Sequence, residues 1–149
     1  MKNYKYSNYN FEVIGPFDYC KNKTIYKINK DIWKKNKGKS GVYVLFTNSR
    51  KVNLGIKDKD LTKKWNKNKS NIVYIGSSVN VLRRVNQLLN KGPHVALKDI
   101  KKIHNQQAIN IGVYFCKTSD NPNLIEKELL IDFAYKHKNI PLINKRVDF

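Results

Sequence analysis

The chain has 149 residues and a formal charge of +19, from 30 Lys and Arg against 11 Asp and Glu. This length favours one domain with a modest core, and the excess of cations favours a polyanionic partner, nucleic acid first. Two cysteines in unrelated contexts argue against a disulfide framework or a cysteine metal site. No apolar run is long enough to span a membrane and no signal-peptide core is present, so we expect a soluble cytoplasmic protein with no membrane partner.

The first 40 residues are expected to form a basic extension packed on the core. Apolar alternation predicts short strands over residues 11–14 and 24–28, and the pair Gly15-Pro16 predicts a turn between them. Residues 31–35 are typical of a helical turn, and the charged residues that follow predict a loop.

A first strand is predicted from Gly41 to Thr47, where an apolar run follows a glycine and has Tyr43 near its start. Polar residues then dominate the segment 48–71, which is too long for a tight hairpin. A tolerated surface loop and a binding element remain equally open interpretations of this segment.

A strand, a turn and a helix follow in close succession. The β-forming residues 73–75 predict a strand that stops at Gly76, and small polar residues then predict the start of a helix. Apolar residues recur in that helix at helical spacing, at Val81, Val85, Leu88 and Leu89. Arg84 lies at the edge of this apolar arc, whereas Arg83 points to solvent. A strand end, Tyr74 and Arg84 together make a candidate phosphate site.

The rest of the chain predicts two more helices and one more strand. Apolar spacing favours a helix over residues 95–105, and alternation predicts a strand with one buried face over residues 109–116. The last helix is expected over residues 123–137. Pro141 prevents its continuation, so Asn144 falls in an extended terminal segment.

Two glutamates in the last helix differ in their placement. Apolar residues follow Glu126 at three, four and seven positions, namely Leu129, Leu130 and Phe133. Glu126 therefore lies inside an apolar arc, whereas Glu128 has a more mixed set of neighbours. A carboxylate on a core-facing stripe is costly unless it is paired or binds a metal. Metal binding and a buried ion pair with Arg84 are the two explanations for Glu126.

Two short motifs and three single residues occur in a fixed order along the chain, namely Gly41-Val42-Tyr43, Tyr74-Ile75-Gly76, Arg84, Glu126 and Asn144. In this order the chain resembles the GIY-YIG nuclease family over most of its length. The resemblance implies an α/β (α+β) fold with a small three-stranded, mainly antiparallel sheet flanked by helices. Residues 1–40 would be an N-terminal extension, residues 41–149 the nuclease domain, and residues 48–71 an insertion between the two motif strands.

The resemblance also implies an activity and the residues that provide it. Members of this family hydrolyse DNA phosphodiester bonds and leave 5′-phosphate ends, with one divalent metal ion that Glu126 would hold here as Mg²⁺ or Mn²⁺. Arg84 would bind a phosphate oxygen, Tyr43 would act as general base, and Tyr74 would orient the phosphate or the water. Because the pKa of a free tyrosine is about 10, Tyr43 would need positive charge nearby in order to ionise.

Other residues have supporting parts in this prediction. Three would support the site structurally, namely Gly41, Gly76 and Asn144. Four are candidate DNA contacts, namely Lys51, Lys57, Ser77 and Arg83. The chain departs from the family pattern at Leu88, where many relatives have a histidine or a tyrosine, and this departure argues against a second proton carrier on that helix.

The sequence leaves the biological role open. Because no separate DNA-binding domain follows the catalytic motifs, a compact restriction-like or free-standing nuclease is favoured over a homing or repair nuclease. A non-catalytic basic nucleic-acid-binding module, or a structural ribosome-associated protein, would share the charge but would not require Glu126 on an apolar face. A palindromic DNA target would require a homodimer or two sequential nicks.

Overall fold

The structure is a computed structural model that describes residues 3–17, 28–47, 71–89, 109–138, 140–141 and 144. The described residues form five strands, β1 (Asn3–Tyr6), β2 (Tyr9–Phe17), β3 (Gly41–Thr47), β4 (Ile72–Ser78) and β5 (Ile109–Phe115). They also form three helices, α1 (Lys30–Asn36), α2 (Val81–Leu89) and α3 (Pro122–His137). The strands make one antiparallel sheet in the order β1-β2-β5-β3-β4, so the architecture is α+β.

The number of strands differs from the prediction, because the sheet has five strands where three were expected. The two additional strands come from the N-terminal extension, which forms the hairpin β1–β2. β2 pairs with β5, and this pairing places Glu12 opposite Val113. β5 therefore has a partner on each side, which satisfies the backbone N–H and C=O groups that an edge strand would leave open.

Gly15 and Pro16 lie within β2, so the predicted turn at this pair is wrong. The pairing of β2 with β5 becomes irregular between Ile14 and Phe17, which is where the pair falls. Proline lacks a backbone N–H group and is tolerated in a sheet at such an irregularity.

The two motif strands pair with each other. β3 has the predicted bounds, Gly41–Thr47, and β4 lies beside it at the end of the sheet. Gly76 does not end β4, contrary to the prediction, because the strand continues to Ser78 and Gly76 pairs with Tyr43. The glycine serves the packing of this pair and does not terminate the strand.

The predicted helix that carries Val81, Val85 and Leu88 is confirmed as α2, and the helix predicted over residues 123–137 is confirmed as α3. The helical turn predicted at 31–35 is confirmed as part of α1. The predicted third strand is confirmed as β5, but residues 110–113 are all buried, so it does not have only one buried face. The reason is that β5 lies between β2 and β3, in the middle of the sheet.

Helices cover both faces of the sheet. On one face, strand residues such as Leu45 and Ile111 pack with Val81, Leu82, Val85 and Leu88 of α2. Ile32 and Trp33 of α1 pack against the same cluster. On the other face, strand residues such as Val44 and Ile75 pack with Ile125, Leu129, Leu130 and Phe133 of α3. β4 is thus the strand at the edge of the sheet, with α2 on one face and α3 on the other.

Some predictions fall outside the described residues. They are the helix over 95–105, most of the strand over 24–28, and most of the insertion over 48–71 with Lys51 and Lys57. Within the part of the chain that the structure describes, no helix has the length and apolar composition required to cross a membrane.

Candidate functional site

Tyr43 of β3 and Tyr74 of β4 lie together on the α2 face of the sheet. Their ring centroids are 5.9 Å apart and their planes are inclined by 29°, so the rings stack. Gly76 lies opposite Tyr43, and a Cβ at that glycine would lie 2.5 Å from both Cζ and the hydroxyl oxygen of Tyr43. The Tyr43 phenol therefore occupies the space above the glycine. The two motifs are joined by this fit.

Arg84 extends from α2 toward the two tyrosines. Its guanidinium donates a hydrogen bond to the Tyr43 hydroxyl, and Nη1 donates another to Oε1 of Gln87 at 3.1 Å. The start of α2 is capped by Asn80, whose Oδ1 accepts from the backbone N–H of Arg83 at 3.5 Å. Arg83 is exposed whereas Arg84 is half-buried, as the helical spacing predicts.

The hydroxyl groups of Tyr43 and Tyr74 are hydrogen-bonded to each other. Burial raises the pKa of Tyr43, and the opposing effect of the Arg84 charge is smaller. Burial also raises the pKa of Tyr74, although the hydrogen bond with Tyr43 lowers it. The shared hydrogen bond raises the pKa of Tyr43 and lowers that of Tyr74. Both phenols are therefore neutral near pH 7.

Glu126 approaches this pair from α3. The helix starts at a cap in which Asn121 Oδ1 accepts from the backbone N–H groups of Asn123 and Leu124 at 3.0 and 3.4 Å. Glu126 is half-buried, and its negative charge contributes to the raised pKa of Tyr74, after the larger effect of burial. Tyr43, Tyr74, Arg84 and Glu126 thus come together from four elements of the fold.

Glu128 has a different position on the same helix. Its side chain is exposed and Oε2 accepts a hydrogen bond from the Tyr9 hydroxyl at 2.8 Å. This contact ties α3 to the N-terminal hairpin. The distinction between the two glutamates that the helical spacing predicts is therefore present in the structure.

Asn144 binds the outer edge of β4. Its Oδ1 accepts from the backbone N–H of Ile75 at 2.9 Å, and its Nδ2 donates to the carbonyl oxygen of Ile75 at 2.9 Å. The side-chain amide thus takes the place of a neighbouring strand between Tyr74 and Gly76. Asn144 is only 7% exposed, so this contact lies in the interior of the protein.

Gly41 and Ser77 are the remaining predicted residues that the structure describes. Gly41 begins β3, where a Cβ would overlap the carbonyl oxygen of Tyr114 and the side chain of Val81. The Ser77 hydroxyl donates to Oδ1 of Asn123 at 3.2 Å, which connects the end of β4 with the start of α3. The other two candidate DNA contacts, Lys51 and Lys57, lie outside the described residues.

Glu126 is the candidate ligand for a divalent metal ion. Among the described residues, no group of three or more His, Cys, Asp and Glu side chains stands together. A single carboxylate is a donor set that suits Mg²⁺ or Mn²⁺, because a small hard cation keeps most of its water ligands and takes further oxygens from a phosphate. The half-buried carboxylate of Glu126 is therefore compatible with one hydrated metal ion.

Gln87 and Asn123 are contacts of the site that the sequence does not predict. Gln87 follows Arg84 by three positions, so its reach to the guanidinium is a general property of helices. Asn123 precedes Glu126 by three positions on the same helix, but its partner Ser77 is distant in sequence. Helical spacing could have indicated the contact of Gln87 with Arg84, whereas the contact of Asn123 with Ser77 depends on how α3 packs.

Comparisons of this chain with protein-family models, with curated proteins and with solved structures gave no match. No family assignment follows from them. The function proposed below depends on the residues and contacts of the site.

Proposed function

We propose that the protein is a metal-dependent DNA endonuclease that resembles the GIY-YIG nucleases. The observation that supports this proposal most is the convergence of Tyr43, Tyr74, Arg84 and Glu126, which are far apart in sequence. Phosphodiester hydrolysis needs a positioned water, a cation on the phosphate and stabilisation of the leaving oxygen. The four side chains offer groups for each of these tasks.

Arg84 is the phosphate-binding residue in this proposal. Its guanidinium has five N–H donors in a planar fork, and the contacts with Tyr43 and Gln87 engage part of this fork. These two contacts also fix the orientation of the guanidinium plane. A half-buried arginine held in this way binds a phosphate oxygen with a smaller loss of side-chain entropy than a free one.

Tyr43 is the candidate general base, and Tyr74 is assigned to orientation. Burial raises the pKa of both phenols, so proton removal by Tyr43 would require the positive charge of Arg84 and of the metal ion beside it. The Tyr74 hydroxyl, which is half-buried and hydrogen-bonded to Tyr43, can hold the attacking water or a phosphate oxygen.

Glu126 would hold the metal ion. Bound Mg²⁺ or Mn²⁺ supplies Lewis-acid stabilisation of negative charge on the phosphate and on the leaving 3′ oxygen. The half-buried carboxylate of Glu126 acts electrostatically on Tyr74, so a metal ion held there would be close to the oriented water.

A non-catalytic nucleic-acid-binding module is the second candidate. The observation that favours it is the excess of cations in the chain, 30 Lys and Arg against 11 Asp and Glu. This function needs no half-buried glutamate beside two tyrosines and an arginine. We therefore place it second.

Purified protein incubated with supercoiled plasmid in Mg²⁺, Mn²⁺ or EDTA tests the proposal. We expect nicked or linear products with Mg²⁺ or Mn²⁺, none with EDTA, and 5′-phosphate ends that a ligase joins without prior phosphorylation. Salt-sensitive binding without cutting in either metal would contradict the nuclease and favour the binding module.

A further inference from the structure

The cation excess of the described residues lies in only part of the structure. Segments 28–47 and 71–89 contain seven Lys and Arg and a single acid, Asp31. Segments 3–17 and 109–138 contain five Lys and Arg and five Asp and Glu. The region formed by α1, its following turn and α2 is therefore strongly basic, whereas the hairpin and α3 are neutral in sum.

The lysines of this basic region stand before the first motif strand, on α1 and the turn that follows it. Lys34, Lys35, Lys37 and Lys39 all have exposed side chains. Ile32 and Trp33 of α1 face inward and pack against the cluster that includes the apolar residues of α2. α1 is therefore anchored on the α2 face of the sheet, the face on which Tyr43 and Tyr74 stack.

The turn after α1 touches the start of α2. The carbonyl oxygen of Lys39 accepts from the backbone N–H of Val81 at 3.0 Å, and Gly41 pairs with Ser78 at the end of β4. These contacts bring the lysine-rich turn next to the β4–α2 turn. The exposed Arg83 and the half-buried Arg84 follow on the first two turns of α2.

We propose that Lys34, Lys35, Lys37 and Lys39, together with Arg83, form a binding track for the backbone of duplex DNA that leads to Arg84. We refer to these five residues as the basic track. Phosphates along one strand would contact the lysines of α1 and its turn, and the phosphate to be cut would reach Arg84. This inference rests on the proposed function in one respect, because it takes DNA as the substrate of the site.

The alternative is that these lysines only solvate the surface, as most exposed lysines do. The two interpretations differ in what happens when equal numbers of charges are removed from the basic and the neutral regions. Lys34, Lys35 and Lys37 can be compared with Lys5, Lys117 and Lys138, which are also exposed but lie on the hairpin, after β5 and after α3. Both triple Lys→Gln variants have the same net charge.

The experiment measures binding of a fluorescent duplex oligonucleotide in EDTA, at several salt concentrations, by wild type and both triple variants. Removal of the track lysines should lower affinity roughly tenfold or more and make the slope of log K against log salt shallower by about two to three. The control variant should stay within about twofold of wild type. Thermal unfolding of each variant checks the fold, and the pair Lys34→Gln, Lys35→Gln replaces the triple variant if that variant unfolds.

Equal losses in the two triple variants would overturn the basic track, because they would show a general effect of net charge. No loss in the track variant, or no binding of DNA by wild type, would overturn it as well. Tighter binding to phosphatidylserine vesicles than to the duplex, lost in the track variant alone, would assign the surface to a membrane instead. A selective loss of DNA binding by a protein that never cuts plasmid would keep the basic track and reject the nuclease.

Discussion

Gly76 lies directly opposite Tyr43 in the β3–β4 pairing, and the phenol of Tyr43 fills the space that a side chain at Gly76 would need. This fit explains why a glycine stands inside a strand, where it is otherwise unfavourable. It also fixes the Tyr43 hydroxyl at the point where Tyr74 and Arg84 reach it. The glycine of one motif and the tyrosine of the other thus form a single structural unit.

Gly76→Ala should therefore displace the Tyr43 ring. The added Cβ would lie 2.5 Å from Tyr43 and 2.9 Å from Cε1 of Tyr74, closer than carbon atoms pack. Since Tyr43 is 1% exposed and cannot move into solvent, we expect a loss of about 1–3 kcal/mol in unfolding free energy and most of the cleavage activity. Urea unfolding and plasmid nicking measure the two effects.

Gly112→Ala is the control for this substitution. An added Cβ at Gly112 would lie 2.9 Å from Cβ of Phe11 and 3.0 Å from Cγ2 of Val44, so it would crowd the core on the face of the sheet away from the two phenols. We expect a comparable loss of stability with cleavage preserved. Equal cleavage by the two variants would contradict the proposed fit between Gly76 and Tyr43.

Asn144→Ala should weaken both the fold and the site. The substitution leaves the N–H and the carbonyl oxygen of Ile75 without the two bonds at 2.9 Å, in a position closed to water. Each buried group left unsatisfied costs about 1–3 kcal/mol. Asn71→Ala is the control, because Nδ2 of Asn71 donates to the Thr47 carbonyl oxygen at 3.0 Å but at a half-buried position at the other end of the same strand pair. We expect Asn144→Ala to lose more unfolding free energy and more cleavage activity than Asn71→Ala.

Gln87→Met should lower activity through Arg84. The change keeps the length of the side chain and removes the oxygen that accepts from Arg84 Nη1 at 3.1 Å. We expect the turnover rate to fall roughly three- to tenfold with little change in stability, because one orienting hydrogen bond is worth about 1 kcal/mol. The double variant with Arg84→Ala should be no worse than Arg84→Ala alone. Additive losses in this double-mutant cycle would show that Gln87 acts independently of Arg84.

Tyr9→Phe should make the unfolding free energy less dependent on pH in the alkaline range. The hydrogen bond to Glu128, with a smaller effect of burial, raises the pKa of Tyr9 from 10.0 to about 12. A raised phenol pKa stabilises the fold below pH 10, and this contribution is lost as the pH rises through about 12. The difference in unfolding free energy between wild type and Tyr9→Phe should therefore narrow over this interval. Tyr135→Phe, at an exposed tyrosine of α3, is the control for the removal of a phenol hydroxyl. A constant difference between wild type and Tyr9→Phe from pH 10 to 12 would contradict the effect of the Glu128 contact.

Local patterns of the sequence were sufficient to predict β3, which is a continuous apolar run buried throughout, and α2 and α3, whose buried apolar residues recur at helical spacing. The distinction between Glu126 and Glu128 also follows from helical spacing. Ordered motifs indicated Tyr43, Tyr74 and Arg84 as residues of one site, and the contacts between them agree with that grouping.

The features that the sequence did not predict depend on contacts between distant residues. The pairing of β2 with β5 joins residues about a hundred positions apart, and no local pattern records it. Gly76 was expected to end a strand because glycine does so on average, whereas here its partner is the Tyr43 ring. The raised pKa of Tyr43 likewise results from burial by the assembled core.

The most direct test of the nuclease compares Glu126→Gln with Glu128→Gln in plasmid cleavage with Mg²⁺. The two changes are identical and lie on the same helix, but Glu126 is half-buried and acts electrostatically on Tyr74, whereas Glu128 is exposed and bound to Tyr9. We predict that Glu126→Gln loses cleavage by roughly a hundredfold or more while it still binds DNA, and that Glu128→Gln cuts at a rate near that of wild type. Equal activity of the two variants would contradict the assignment of Glu126 as the metal ligand of a nuclease.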